Sequence, residues 1–519
     1  MVARGGENGR VLLVRIAEVS QAVGAASARL AKIGMLAAAL REAGPLEVPI
    51  AVAYLSGELP QRQIGVGWAA LREGFPAAAS PALGLAEVDA AFSAIGAVSG
   101  KGSAAARKAL VGELFGRATG AEQRFLFGLL SGELRQGALE GVMTDAVARA
   151  ASVPVADVRR AMMLRGSLGA VAAAALAGGS AALAAFGLEV GRPVRPMLAA
   201  SATTIEEALA KIGGQEAAVE WKLDGIRVQA HLYGGGVRLF TRTLDEITGR
   251  LPEVVATLAK LPVRAAVLDG ELIALREDGR PLPFQDTSAR AASAAGADSR
   301  PDGPPLSVFL FDALHLEGAD LIDLPDWKRH AELAWAVPPE LLMPRLVTDS
   351  ADEATAFFRD AISRGHEGVV VKSLDTPYAA GRRGAGWIKV KPRHTLDLVV
   401  LAVEWGHGRR RGWLSNLHLG ARDPATGGFV MLGKTFKGLT DELLTWQTSR
   451  LLALEERRDS YTVYVRPELV VEIAFDGVQR SPRYPGGLAL RFARVLRYRE
   501  DKTAAEADTI AMVRALAPE

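Results

Sequence analysis

The chain has 519 residues, enough for about three or four domains at ~100–200 residues each. Its 49% hydrophobic and 23% charged content excludes an intrinsically disordered chain, and the absence of cysteine excludes disulfides, cysteine-based zinc sites and thiol nucleophiles together, which fits a reducing compartment. A net charge of +2 excludes a protein that is basic as a whole; instead residues 377–413 hold eight Lys or Arg against two acids, and residues 476–502 hold seven against three, local stripes of the kind that phosphate binding needs.

Residues 1–10 are polar and glycine-rich, without the apolar core of a secretion signal. From residue 11 to about 187 the chain is Ala- and Leu-rich with helical spacing: Val11 to Val14 open a helix running on towards Leu30, and Leu36, Leu40, Leu71, Phe92, Leu110, Leu114, Phe125, Leu129 and Leu130 continue the apolar faces. Two segments beginning at Gly57 and Gly132 both read Gly-Glu-Leu followed by an arginine (Arg62, Arg135), which suggests two related helical halves with phosphate-binding helix ends. The Gly100-Lys101 stretch resembles a P-loop but has Ile95 and Gly102 where the pattern needs glycine and Ser/Thr, and is rejected. Residues 166–187 carry no charge, yet their Ala, Gly and Ser give little transfer energy. They are expected to form a close-packed helix pair broken at Gly178-Gly179-Ser180, not a membrane span.

A proline-bearing connection at residues 191–196 marks the first boundary. Beyond it strands are expected at 217–221, 228–232, 237–241, 265–275, 307–314 and 368–372, with helices at 252–261 and 351–364, the latter opened by a capping box of Ser350 and Glu353. Residues 288–305 read as a mobile surface loop. A second boundary falls near Arg393. The strands expected after it, at 398–403, 414–419, 430–436, 462–465 and 469–474, with one helix at about 440–457, describe an OB-type barrel. The expected architecture is therefore multidomain: an all-α domain (1–190), an α/β domain (191–393) and a β-barrel OB-fold domain (394–519).

The chemistry centres on residues 219–227, Val-Glu-Trp-Lys-Leu-Asp-Gly-Ile-Arg. Lys222 ends an apolar strand just before an Asp-Gly turn. An unpaired ammonium is expensive to bury there, but a lysine whose pKa is depressed by neighbouring cations is a good nucleophile. Further pieces follow in order: Arg242 between two threonines, Glu271 after Asp269-Gly270, Phe311 near the end of a buried strand, Glu367 and Lys372 flanking a valine run, and Lys389 and Lys391 on one strand face. Arg491, Arg494, Arg499 and Lys502 close the series.

This ordered set resembles the nucleotidyltransferase motifs of ATP-dependent DNA ligases. The nearest likeness is to the class with an N-terminal helical DNA-binding domain, found in archaeal and eukaryotic replicative ligases and in some bacterial ones. The resemblance implies a helical DNA-binding domain, a nucleotidyltransferase (adenylation) domain and an OB-fold domain. It implies that Lys222 attacks the α-phosphate of ATP and carries AMP, which passes to the 5′-phosphate of a nick and is displaced by the 3′-hydroxyl. Lys389, Lys391 and Mg²⁺ would favour the neutral amine and neutralise phosphate charge. Glu220 would accept from the adenine amino group and Phe311 would stack on the base. Arg227, Arg242 and Glu271 would serve the ribose and phosphates. Lys372 and Arg383 would also face the nucleotide, and Glu271 and Glu367 would place Mg²⁺ through water. Arg491, Arg494, Arg499 and Lys502 would orient pyrophosphate, with the barrel swinging about a linker near Pro392. The implied partner is nicked double-stranded DNA, gripped mostly through phosphates and minor-groove shape. A monomer is expected, in the cytoplasm at a bacterial nucleoid and without a membrane. No clamp-docking motif is legible, and replication and repair are not distinguished.

Two positions depart from the family pattern: Thr241-Arg242-Thr243 stands where Ser-Arg-Asn is common, and Ala493 replaces a proline in the terminal motif. An RNA ligase or mRNA-capping guanylyltransferase shares the lysine motif, but capping enzymes do not need the long helical region before it. An NAD-dependent ligase would carry a cysteine zinc module. An inactive DNA-binding scaffold would have no reason to hold so many charges at strand ends.

Overall fold

A computed structural model describes residues 10–61, 64–67, 71, 74–134, 140–293, 303–380 and 383–517, with only the backbone of 383–385. Arg62, Arg135 and residues 294–302 of the expected 288–305 loop therefore lie outside the described residues.

The described helices of the first 190 residues are α1 (Leu13–Ala25), α2 (Arg29–Glu42), α3 (Val48–Leu55), α4 (Leu85–Ala97), α5 (Ser103–Gly116), α6 (Gly120–Ser131), α7 (Glu140–Ala151), α8 (Val155–Arg165) and α9 (Leu168–Ala184). The first helix stops at Ala25 instead of running towards Leu30. Local chemistry sets the ends of α6: Thr119 and Glu122 form a reciprocal capping box, and Gly132 closes the helix in the left-handed region. The uncharged stretch is α9, kinked at Gly179 (φ 60°, ψ −149°), a conformation open to glycine alone. Leu13, Ile16, Leu36, Leu40, Tyr54 and Phe92 are fully buried in one core shared by these helices. Among the described residues no helix is long and apolar enough to cross a membrane.

Two five-stranded sheets follow. One orders β4 (Gly236–Thr241), β3 (Ile226–Tyr233), β5 (Ala266–Ala274), β6 (Leu306–Leu316) and β7 (Ala319–Asp320). The other orders β1 (Leu198–Ala202), β10 (Arg383–Val390), β9 (Gly368–Ser373), β2 (Ala217–Lys222) and β8 (Arg345–Thr348). All described pairings are antiparallel except β1 with β10. Ser350 caps the helix Ala351–Ser363 by accepting from the Glu353 N–H at 3.3 Å. Glu353 accepts from the Thr348 hydroxyl at 2.5 Å and does not return the reciprocal bond of the expected box. The helix Phe284–Ala292 occupies the start of the stretch expected to be a loop.

The last region is mostly sheet. β11 (His394–Trp405) is long enough to serve three partners: its first half pairs with β16 (Val470–Phe475), and its second half with β12 (Leu414–Arg422) and β15 (Thr462–Val465). Beyond these lie β13 (Phe429–Thr435), β14 (Glu455–Arg458), β19 (Arg494–Tyr498) and the hairpin β17–β18 (Gly477–Arg480, Leu488–Arg491). The expected helix at 440–457 ends at Ala453, because Glu455 to Arg458 pair with β15 instead.

Candidate active site

Lys222 ends β2 in one sheet, and Ile226 begins β3 in the other. The turn between them, Leu223-Asp224-Gly225, is where the chain changes sheets. A Cβ at Gly225 would lie 2.2 Å from the Leu272 carbonyl oxygen, so the turn needs glycine to press against β5. The two sheets meet around a cavity of about 500 Å³.

Of the residues singled out from sequence, Lys222, Glu220, Arg227, Arg242, Glu271, Phe311, Glu367, Lys372, Lys389, Lys391 and Arg491 all line this cavity. The Lys222 ammonium is ion-paired with one oxygen of Glu367, whose other oxygen holds Lys391. Lys391 also reaches Asp476 at 3.0 Å. Burial by itself would raise the Glu367 carboxyl, but Lys222 and Lys391 outweigh it and hold the group below its ordinary range. Burial would lower Lys391, and Glu367 with Asp476 reverses that, so its ammonium lies above its ordinary range. The repulsion between lysines expected from sequence is thus offset by a carboxylate set between them. Glu271 differs: burial pushes its carboxyl up to about 7, although Lys222 and Arg227 pull the other way.

One end of the cavity is aromatic and ionic. Phe311 and Trp387 meet edge to face, with centroids 5.9 Å apart. Lys372 lies over both rings (4.9 and 4.5 Å), donates to the Phe311 carbonyl at 3.2 Å and pairs with Glu220 at 2.6 Å. Glu220 pairs through its other oxygen with Arg345 at 2.8 Å. Arg227 is committed to Asp269 at 2.6 Å, to the Met197 carbonyl at 2.6 Å and to the Tyr378 hydroxyl at 3.1 Å, and its guanidinium also lies over Phe311 at 5.3 Å. It braces the wall rather than offering a free guanidinium. Arg242 sits exposed in the turn after β4.

The terminal cations divide. Arg491 reaches the cavity and grips Asp224. Arg494 lies in an adjoining cavity with Lys389, Lys391 and Lys437. Arg499 and Lys502 are drawn elsewhere, both donating to Asp397, at 2.8 and 2.6 Å. The Arg383 side chain lies outside the described residues. Sequence reading gave no role to Asp224, Asp269, Arg345, Trp387 or Asp476. Asp224 and Asp269 stood in the sequence only as the acids of Asp-Gly pairs, and Trp387 lies two residues before Lys389 in the two-lysine segment, whereas nothing in the sequence marked Arg345.

Known proteins match along this whole arrangement. Residues 196–391 match the model described as "ATP dependent DNA ligase domain", residues 410–502 the "ATP dependent DNA ligase C terminal region" and residues 72–148 the "DNA ligase N terminus". A protein named "Probable DNA ligase" from Mycobacterium sp. (strain KMS) is 60% identical over 520 residues, covering 97% of this chain and 99% of its own. The chain belongs to the ATP-dependent DNA ligases. It is an enzyme that forms phosphodiester bonds in DNA and uses ATP. A second "Probable DNA ligase", from Anaeromyxobacter dehalogenans (strain 2CP-1 / ATCC BAA-258), is 59% identical and covers 98% of this ligase and 99% of its own length. The solved structure named Pmar-Lig_PreS3 shares the fold at a TM-score of 0.64 and 18% identity, covering 93% of this ligase and 99% of that chain.

Proposed function

We propose that this ligase seals nicks in duplex DNA through AMP carried on Lys222. The supporting observation is the Lys222 amine itself, at the sheet junction in a cavity whose lining also holds six cationic side chains and four carboxylates. Attack by Nζ on the α-phosphorus forms the N–P bond as the bond to pyrophosphate breaks, and the adjacent Glu367 carboxylate is placed to take the ammonium proton. Lys389, Lys391 and Arg491 face the phosphates and disperse the charge that builds up on them. Transfer of AMP to the 5′-phosphate and its displacement by the 3′-hydroxyl follow at the same cavity.

Glu220 accepts from the adenine amino group, and Phe311 supplies the stacking face. Arg242 and Glu271 serve the ribose and phosphate side. Among the described residues no cluster of three or more His, Cys, Asp or Glu is placed to hold a metal ion. Two carboxylates in one cavity, Glu271 and Glu367, suit a hydrated Mg²⁺ that arrives with the triphosphate, and burial of Glu271 fits a group that acquires a cation. When bound, Mg²⁺ would supply charge neutralisation at the phosphate oxygens. Arg499 and Lys502 act on pyrophosphate only after the C-terminal region turns about the linker at Pro392. That region is read as an OB-fold domain (394–519), following a helical DNA-binding domain (1–190) and an adenylation domain (191–393), in a monomer.

The test is incubation with ATP labelled at the α-phosphate and Mg²⁺, followed by denaturing electrophoresis. Label should survive denaturation, disappear in Lys222→Ala and be chased by nicked DNA. Label retained in Lys222→Ala would overturn the assignment.

A further inference from the structure

Glu220 does not hold its own position. It is the direct cross-strand neighbour of Arg345 in the β2–β8 pair, and Lys372 comes from the strand on the other side. Arg345 bridges two carboxylates: one Nη donates to Glu220 at 2.8 Å and the other to Asp326 at 2.7 Å. All three side chains are at least nine-tenths buried, at 7%, 3% and 2% exposure for Arg345, Glu220 and Asp326. Asp326 is in turn fixed by its backbone, whose N–H donates to the Thr376 carbonyl at 3.1 Å. Glu220 lines the cavity, whereas Arg345 and Asp326 do not.

Glu220 shares that cavity with Lys222, Lys389 and Lys391 as well as with Lys372. A glutamate has three side-chain torsions, and an unrestrained one would turn towards whichever cation lies nearest. The Arg345 fork and the Lys372 ammonium instead take one oxygen each, so the remaining acceptor positions keep a constant direction. An ion-paired carboxylate offers no donor. A purine 6-amino group can bond to it, while a 6-oxo group would face it oxygen to oxygen.

We propose that Arg345, through Asp326 on its far side, is the positioning residue that sets base selectivity by holding Glu220 towards the purine 6-position. This rests on the reading of Glu220 as the group that meets the base. Because Arg345 acts through Glu220, its loss should be felt in nucleotide selection more than in the chemistry at Lys222.

The experiment measures ligase–adenylate formation with ATP, and the corresponding nucleotidyl transfer with GTP and with purine riboside triphosphate, which carries hydrogen in place of the amino group. Wild type, Arg345→Met and Arg345→Lys are compared. In wild type kcat/KM should favour ATP over both analogues. In Arg345→Met that preference should fall roughly tenfold, the change expected when one charge-assisted hydrogen bond is no longer oriented. It should appear as a raised KM for ATP with little change in KM for purine riboside triphosphate. Arg345→Lys, which can pair with one carboxylate but not bridge two, should fall between. Unchanged selectivity in a folded Arg345→Met protein overturns the proposal. A wild type that does not distinguish ATP from purine riboside triphosphate overturns the reading of Glu220 instead. If Arg345→Met does not fold, Arg345→Lys carries the comparison; failure of both to fold assigns Arg345 to stability and overturns the proposal.

Discussion

Arg491 grips Asp224 across 267 residues of sequence, tying the C-terminal hairpin to the turn that follows Lys222. The contact closes one side of the cavity, and two others help it: Lys391 with Asp476, and Gln285 donating to the Arg480 carbonyl at 3.0 Å. The pair is only partly buried, with side-chain exposures of 22% and 29%, so its coupling should be about 1 kcal/mol and should weaken with salt. Arg491→Ala and Asp224→Asn should each speed tryptic cleavage at Arg393, and the double variant should add little to either single one. Additive effects on cleavage would show that the two residues act independently.

Gly225 makes a sharper prediction. Its missing Cβ would meet the Leu272 carbonyl oxygen at 2.2 Å and the Glu271 Cγ at 2.9 Å. A backbone oxygen in a central strand cannot step aside, so Gly225→Ala must shift the turn and Lys222 with it. A displacement on the order of 1 Å can cost ~100-fold in rate. Formation of the labelled adenylate should fall by about that factor, while Gly249→Ala, with open space around its Cβ, should keep the wild-type rate. Equal rates in the two variants would refute the close-approach argument.

The parts of the site legible in sequence were those whose chemistry is local. Lys222, Glu367 and Lys389 each sit at or beside a strand end, where a charge is conspicuous, while Glu271 lies inside β5 and was marked only by the Asp269-Gly270 pair before it. Arg345 was not legible, because its partner Glu220 lies 125 residues away and only the β2–β8 register brings them together. Residues 455–458 misled for a different reason: Glu-Glu-Arg-Arg carries a helical i,i+3 ion pair, Glu455 with Arg458, yet the segment lies in a strand. The hairpin β17–β18 and strand β19 were missed because they are short, and arginines break their apolar alternation. The stretch resembling a P-loop is a turn between two helices, α4 and α5, with Gly100 and Gly102 at positive φ, whereas a P-loop joins a strand to a helix.

Arg329 and Asp312, the residue after Phe311, form a pair buried to 0% and 2% exposure. The guanidinium donates to both carboxylate oxygens, at 2.8 and 3.0 Å, and also to the carbonyls of Leu324 and Thr376. Arg329→Leu would leave the Asp312 carboxylate without its main partner, a change that costs about 3–5 kcal/mol in comparable settings. Urea unfolding at neutral pH should show a loss of that size, and Arg329→Leu combined with Asp312→Leu should recover part of it. A loss below ~1 kcal/mol in the single variant would show that water or another group satisfies Asp312.

His231 links acid pH to the connection between the helical region and the sheets. Its Nδ1 accepts from the Gly191 N–H at 2.9 Å, so the ring proton sits on Nε2 and is donated to Gln229 at 3.0 Å. Gln229 in turn accepts from the Val194 N–H at 2.7 Å. Burial, with help from Arg238 and His315 and against the pull of Asp269, lowers the His231 pKa to about 4. The unfolded chain takes up a proton near 6.5. Between those values the unfolded state binds more protons, so stability falls as pH is lowered through that window and is fully present above it. The contribution is on the order of 3 kcal/mol. His330 and His366 are also lowered to about 4 by burial and act in the same direction, so wild-type stability alone does not isolate His231. The difference between wild type and His231→Gln does, because glutamine can accept from Gly191 and donate to Gln229 without titrating. Unfolding free energies at pH 4.5, 5.5 and 7 should show a shallower slope in the variant by about one proton. Parallel slopes would mean that His231 already carries its proton in the folded ligase and that Gly191 is held by something else.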